Sequence, residues 1–198
     1  MSLWTIEKEL FNSGVTSICG VDEAGRGPLA GPVYAAAVIL PPYLEIEWLN
    51  DSKKVTEKRR DMLFDIIIEK AVAYGIASAS EQEIDELNIL NATFLAKNRA
   101  IEKLSVKPDI ALIDGNRSTG IEMNNMCVVG GDGKSASIAA ASILAKVSRD
   151  RYMLQMAEKY PQYCFDRHKG YGTKLHYEKL HEFGPSEIHR KTFLRKMH

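Results

Sequence analysis

The chain has 198 residues, of which 45% are hydrophobic and 26% charged, and its formal net charge is zero. A chain of this length buries roughly two-thirds or more of its unfolded surface, and this composition excludes a disordered or fibrous protein. Cys19, Cys127 and Cys164 stand far apart with no CxxC pair, which excludes a disulfide framework and a cysteine zinc site and fits a reducing cytoplasm.

The neutrality hides an asymmetry. Residues 134–198 hold 13 of the 26 Lys and Arg but only 6 of the 26 Asp and Glu, so the tail is net +7 and the remainder net −7. A basic tail on an acidic body suits a polyanionic partner; a solvated helical surface has the same composition. No stretch reaches the ~18 consecutive apolar residues of a membrane span. Met1–Leu10 carries acids where a signal peptide has a basic lead, so neither export nor a membrane partner is expected.

In chain order, a short helical lead-in ends near Ser13-Gly14, and residues 17–21 and 34–40 read as buried strands, the second closed by Pro41-Pro42. Apolar residues at helical spacing predict a helix over 58–74. Gly75 then opens a small-residue strand, 76–79, and Ser80-Glu81-Gln82-Glu83 has the form of a capping box. A helix over 91–104 stops at Pro108, and a short apolar strand, 110–113, ends in Asp114-Gly115. Residues 127–129 form another strand and Gly130-Gly131-Asp132-Gly133 a turn, after which Ser135 caps a helix from about 136 to 159. Beyond Tyr160 the texture changes to Gly- and Pro-punctuated short amphipathic pieces. These elements predict an α/β domain over 1–160, a mixed β-sheet flanked by helices, with a small helical C-terminal extension over 161–198.

Asp22-Glu23, Asp114 and Asp132 each follow an apolar strand. Any one such acid serves a turn as readily as a ligand, but carboxylates at neighbouring strand ends converge on one point and offer hard oxygen donors to Mg2+ or Mn2+. A pair of such ions suits phosphodiester hydrolysis. Consecutive strand residues face opposite sides, so Asp22 and Glu23 both reach the metals only if the strand ends or bulges there. Gly25-Arg26-Gly27 offers backbone amides and one guanidinium for close approach to a sugar-phosphate chain. Gly131 to Ser135 has the look of a phosphate cradle at a helix N-terminus, without Walker spacing.

Longer blocks carry a family likeness. They are Gly20-Val21-Asp22-Glu23-Ala24-Gly25-Arg26-Gly27-Pro28-Leu29-Ala30-Gly31-Pro32-Val33, then Asp51-Ser52-Lys53-Lys54, Ile113-Asp114-Gly115, Gly131-Asp132-Gly133-Lys134-Ser135, the run from Ile138 to Val147, and His168-Lys169-Gly170-Tyr171-Gly172-Thr173. From about Ile18 to Phe193 the chain resembles the bacterial ribonuclease HII family. The resemblance implies an RNase H-like fold with a helical C-terminal extension over the duplex, and a two-metal endonuclease whose metal-binding carboxylates are Asp22, Glu23, Asp114 and Asp132. It implies that Gly25, Arg26 and Gly27 read the 2′-hydroxyl at an RNA-to-DNA junction while Tyr171 stacks on the next deoxyribose. The 2′-hydroxyl is the group that separates a ribonucleotide from its DNA neighbour.

Lys53, Lys146, Lys169 and Lys174 are the candidates for phosphate contacts. Asp150, deep in a predicted helix among basic residues, is expected in an ion pair rather than on a metal, and His168, His176, His181 and His189 are expected at the surface or on phosphates. The expected substrates are RNA-DNA hybrids and duplex DNA containing ribonucleotides, cut on the 5′ side to leave 3′-hydroxyl and 5′-phosphate ends. A cytoplasmic monomer is expected, and the tail from Lys191 to His198 lacks the Gln-led aromatic peptide of clamp-binding nucleases, so no sliding-clamp contact is expected. Two other readings stay open at this point: a noncatalytic nucleic-acid-binding module, and a nucleotide enzyme built around Gly131 to Ser135.

Overall fold

The computed structural model describes residues 3–50, 52–53 and 55–195. Asp51 and Lys54 of the Asp-Ser-Lys-Lys block and the last three residues of the tail lie outside that range. The elements run α1 (Thr5–Asn12), β1 (Ile18–Ala24), β2 (Val33–Ile39), α2 (Glu57–Lys70), β3 (Ala73–Ala79), α3 (Glu81–Glu102), β4 (Ile110–Asp114), β5 (Asn125–Val128), α4 (Ala136–Lys159), α5 (Phe165–His168), α6 (Lys174–Phe183) and α7 (Lys191–Leu194). The five strands form one sheet in the order β3-β2-β1-β4-β5. β1 runs antiparallel to β2 and parallel to β4, β2 antiparallel to β3, and β4 parallel to β5. The expected mixed sheet between helices is the observed one.

Period-two alternation divides the strands between two cores. Cys19, Val21, Ala35, Ala37, Ala111 and Ile113 pack with α3 residues such as Phe94, Ala96 and Ala100. Ala36 and Val38 on the opposite face pack with Leu63 and Ile67 of α2 and the alanine-rich surface of α4. Small side chains on both partners let α4 lie very close to the sheet. At Gly20 the contact is backbone to backbone: a Cβ there would lie 2.1 Å from the carbonyl carbon of Ser137 and 2.2 Å from the amide nitrogen of Ile138. Glycine is therefore required by space at this position, and that close approach brings the N-terminus of α4 over the end of β1.

Several boundaries differ from the sequence reading: β1, expected over 17–21, runs on through Asp22 and Glu23 to Ala24, and β5, expected over 127–129, spans Asn125–Val128. The helix predicted over 58–74 ends at Lys70, and the strand expected from 76 begins at Ala73, pairing along its length with β2 from Ile39↔Ala73 to Val33↔Ala79. Ala71 already has extended backbone, and from Ala73 onward alternate residues point into the core; completing a sheet edge overrides helical periodicity there. The capping box is present, with Ser80 Oγ accepting from the Glu83 amide at 3.2 Å and Glu83 Oε2 from the Ser80 amide at 2.8 Å. The two helices predicted around residue 88 are one element with a kink at Asn88, whose left-handed φ of 69° lets its Oδ1 accept from the Leu90 and Asn91 amides and restart the helix.

Replacing Gly20 by Ala forces the sheet and α4 apart, so Gly20→Ala is expected to destabilise by roughly 1–3 kcal/mol, the range for core overpacking. Gly133→Ala, where an added Cβ has nothing within 4 Å, is expected to stay within about 0.5 kcal/mol of the parent. Urea unfolding midpoints at constant slope check both.

Candidate active site

The parallel register of β1 and β4 aligns Ile18 with Ile110 and Val21 with Ile113. One step further along the same register stand Asp22 and Asp114, at the carboxyl ends of adjacent parallel strands, where open α/β sheets place their ligands. Asp132 joins them from the single 3-10 turn, Gly131–Gly133, between β5 and α4. Oxygens of Asp22, Asp114 and Asp132 lie within 4.8 Å of one another. Asp114 is fixed by the Gly131 amide, which donates to its Oδ1 at 2.7 Å, and Asp22 Oδ1 accepts from the Glu23 amide at 2.7 Å.

Burial, then the neighbouring charges of Glu23 and Asp114, push the Asp22 carboxyl well above the usual carboxylate range, opposed by the Lys97 ammonium. Three hard oxygen donors this close together are the donor set a divalent cation satisfies, since its charge offsets both the burial and the repulsion that raise Asp22. The residues present therefore fit a Mg2+- or Mn2+-type ion.

Glu23 is placed differently from the other three acids. β1 stays regular through Asp22 and Glu23, with Ala24 still paired to Tyr34, so the strand neither ends nor bulges between them and the two side chains take opposite faces. Glu23 turns toward α3. Its Oε2 lies 2.6 Å from Lys97 Nζ and its Oε1 3.2 Å from an Arg26 Nη1. Lys97, 3% exposed, also donates to the Asp114 carbonyl at 3.3 Å. This lysine has no motif around it to mark it in the sequence.

A cleft of about 300 Å3 opens beside the acids, lined among others by Asp22, Glu23, Gly25, Arg26, Gly27, Lys53, Lys146 and Tyr171. Most of the residues singled out from the sequence therefore share one wall. Two buried arginines that sequence reasoning missed build it. Arg190 donates to the carbonyls of Gly25 at 2.5 Å, Arg26 at 2.9 Å and Gly31 at 2.9 Å. Arg149 donates to those of Ala30, Pro32 and Lys169 at 3.0–3.3 Å. Burial pulls both guanidinium pKa values down. With carbonyls of the Gly25–Pro32 loop taken by the arginines, the Arg26 and Gly27 amides donate to no protein group among the described residues. Gly25 has a φ of +95°, and a Cβ on it would lie 2.0 Å from Arg149 Nε, so conformation and space both demand glycine. Arg149 also stands 5.7 Å from the Tyr171 ring centroid and so links the loop to the tyrosine. The signal for it was helical spacing: Ser142, Lys146 and Arg149 fall on one face of α4.

Lys53 reaches to 3.8 Å from Asp132 Oδ2, and its loop is pinned to α4 by a buried Ser142–Ser52 hydroxyl pair at 2.8 Å. Lys146 pairs with Asp150 at 2.7 Å, the intrahelical pairing expected of Asp150. Lys169 and Lys174 are not brought to the cleft. Lys169 Nζ folds back to the Asp166 carbonyl at 2.5 Å, and Lys174 stands exposed on the first turn of α6, 3.9 Å from Glu178.

Two other expectations are corrected. The N-terminus of α4 is no phosphate cradle: buried Glu7 of α1 occupies it, its Oε1 accepting from Ser135 Oγ at 2.6 Å and the Ser137 amide at 3.1 Å. His168, His176 and His189 are buried rather than superficial. The His168 and His176 rings stack at 4.3 Å, and the His176 and His189 Nε2 atoms are 2.9 Å apart. The Tyr171 carbonyl lies 3.0 Å from His176 Nδ1, and the Ser186 amide donates to His189 Nδ1 at 2.9 Å. These contacts make His176 Nδ1 and His189 Nε2 the protonated nitrogens of two neutral rings. The sequence showed His168, His176, His181 and His189 without their spatial convergence; of these four, His181 is exposed.

Carboxylates gathered at the ends of parallel strands in a mixed sheet, with helices on both faces, make a candidate divalent-cation site, and the fold around it is that of the RNase H-like nucleases. Ribonuclease H2 from Pyrococcus horikoshii OT3 is similar in structure, with a TM-score of 0.74 and 27% identity over 89% of this chain and 93% of that one. The family model for Ribonuclease HII matches residues 19–197. In sequence the chain is 55% identical to the ribonuclease HII of Caldicellulosiruptor bescii over 192 residues, 97% of this chain and 93% of that protein. It is 54% identical to that of Endomicrobium trichonymphae over 193 residues, 97% and 92% of the two chains. The chain belongs to the ribonuclease HII family, metal-dependent endoribonucleases that act on RNA-DNA hybrids. Among the described residues no helix is long and apolar enough to cross a membrane.

The histidine cluster makes a testable contribution to stability. Burial first, then the neighbouring imidazoles, lower His176 and His189 to about 4 from the ordinary 6.5. Between those values the unfolded chain binds protons that the folded chain refuses, so this contribution is intact above pH 7 and is lost as pH falls toward 4. Urea midpoints measured from pH 7.5 to 4.5 are expected to fall more steeply for the parent than for a His176→Gln/His189→Gln variant. Equal slopes contradict a neutral buried pair.

Proposed function

We propose that the chain hydrolyses the phosphodiester on the 5′ side of a ribonucleotide, either in the RNA strand of a hybrid or embedded in duplex DNA, leaving 3′-hydroxyl and 5′-phosphate ends. The observation that carries this reading is the shared wall: the Asp22–Asp114–Asp132 cluster opens onto the same cleft as Gly25, Arg26, Gly27 and Tyr171. Two Mg2+ or Mn2+ ions, when bound, supply charge neutralisation at the phosphate and a water acidic enough to attack it. Asp22, Asp114 and Asp132 hold them, and Glu23 completes the acid set from the α3 side with its charge balanced by Lys97.

Recognition falls to the loop and the tyrosine. The Arg26 and Gly27 amides donate to no protein group among the described residues and suit the ribose 2′-hydroxyl, while the 43%-exposed Tyr171 ring offers a flat surface to the next sugar; a second 2′-hydroxyl there meets the ring. Lys53 and Lys146, on the cleft wall, serve backbone phosphates, with Lys169 and Lys174 further along the basic tail. Residues 1–160 act as the catalytic domain and 161–198 as a helical extension against the duplex, docked through Leu29, Ala30, Met153, Tyr163, Phe165 and Leu180. The chain works as a cytoplasmic monomer on this reading, which the three free cysteines suit.

On a duplex with one ribonucleotide, Asp114→Asn is expected to lower cleavage by about 10²-fold or more while leaving binding within a fewfold of the parent. Undiminished cleavage overturns the site, and salt-sensitive binding with no metal-dependent product in the parent favours a noncatalytic module. Tyr171→Ala is expected to lower kcat/KM on the single ribonucleotide by about tenfold and to lower it less on a uniform hybrid. Equal losses on the two substrates count against its role in junction recognition.

A further inference from the structure

A second cleft adjoins the acids on the other side of Glu23. It measures about 350 Å3, and its wall includes Arg26, Leu90, Phe94, Lys97, Asn116 and Arg117, together with Asp114. Three of these side chains are cations, and they are unevenly answered. Glu23 is one carboxylate against both Lys97 and Arg26, and the Asp114 Oδ1 is turned to the Gly131 amide. Arg117, exposed on the loop after β4, makes no ion pair among the described residues. With Lys97 buried and held by Glu23, the exposed Arg117 and Arg26 put positive charge at the rim of the cleft, above the apolar side chains of Leu90 and Phe94. A cationic rim over an apolar floor suits one sugar-phosphate unit, with the anion at the rim and the sugar face below.

Its position relative to the first cleft gives it a direction. Arg26 lines both clefts, Asp22 lines the first and Asp114 the second, so the acid cluster stands between them. A strand that leaves the first cleft and crosses the acids enters the second. We propose that this second cleft binds the backbone phosphate on the 5′ side of the scissile bond, with Arg117 as its principal contact and Arg26 supporting it. The assignment rests on the proposed function, in which Gly25, Arg26, Gly27 and Tyr171 take the ribonucleotide on the 3′ side of the cut.

The test pairs the full-length Arg117→Ala variant with single-ribonucleotide duplexes in which one phosphate at a time is neutralised as a methylphosphonate, read as KM and kcat for cleavage. For the parent, neutralising the first or second phosphate 5′ of the cut is expected to raise KM several-fold. Arg117→Ala is expected to raise KM on the unmodified duplex by a similar factor with kcat kept, to lower the dependence of log KM on log salt by about one, and to be indifferent to that methylphosphonate. A penalty that persists in Arg117→Ala, or no penalty 5′ of the cut in the parent, overturns the proposal. The parent's cut site on the unmodified duplex tests the underlying reading separately: cutting elsewhere than 5′ of the ribonucleotide overturns that reading, whereas a penalty confined to one phosphate and abolished by Arg117→Ala still supports the anion site.

Discussion

The site depends on one constraint, the forced proximity of like charges. Asp22 and Asp114 stand at matched positions on adjacent parallel strands, and Asp132 is pressed against them by the turn into α4, so their oxygens fall within 4.8 Å of one another. Burial first, then repulsion from Glu23 and Asp114, holds the Asp22 carboxyl above its ordinary range. Such an arrangement costs folding energy, and the fold sustains it because the strands and α4 are locked by interactions elsewhere: the zero-clearance contact at Gly20, and the Glu7 carboxylate bound to Ser135 and the Ser137 amide. A divalent cation turns the same repulsion into affinity.

The surrounding positive charge is distributed with equal economy of placement. Lys97, buried on the α3 side, holds Glu23 and the Asp114 carbonyl without entering the acid cluster. Among the described residues Arg149 and Arg190 have no carboxylate partner within ion-pair distance; they donate to carbonyls of the Gly25–Pro32 loop and to that of Lys169. Guanidinium groups suit this work because a rigid planar fork can bind several carbonyls at once. The loop's conformation is thereby set by groups behind it, leaving Arg26 and Gly27 amides for whatever enters the cleft. The C-terminal segment supplies Arg190 behind the loop and Tyr171 on the cleft wall, which makes it part of the cleft's construction as well as a cover for the Leu29–Ala30 region.

The buried histidines serve a related purpose. His176 Nδ1 lies within hydrogen-bond distance of the Tyr171 carbonyl, and the Gly170 amide donates to His168 Nδ1. Three neutral rings packed against Phe165 and Tyr163 thus hold the backbone on which Tyr171 is displayed. Neutral imidazole is both donor and acceptor, so a chain of such rings satisfies buried backbone groups without introducing a charge.

The amino-acid sequence by itself determined the element types, the capping box at Ser80, the acids at strand ends and the Gly25-Arg26-Gly27 loop, because each of these depends on local periodicity or on short contiguous chemistry. It also posed the difficulty of Asp22 and Glu23 correctly, since side-chain alternation along a strand is a local rule. Only the tertiary structure decided the outcome. β1 stays regular because its ladder with β2 continues to Ala24, so Glu23 faces Lys97 while Asp22 faces Asp114 and Asp132. The convergence of Arg149 and Arg190 behind the loop, the clustering of His168, His176 and His189 and the second cationic cleft join residues from several to more than a hundred positions apart, for which no local pattern exists. The strand 73–79 was partly hidden for the same reason: its first residues continue a helical pattern, and it is pairing with β2, a non-local interaction, that makes them extended.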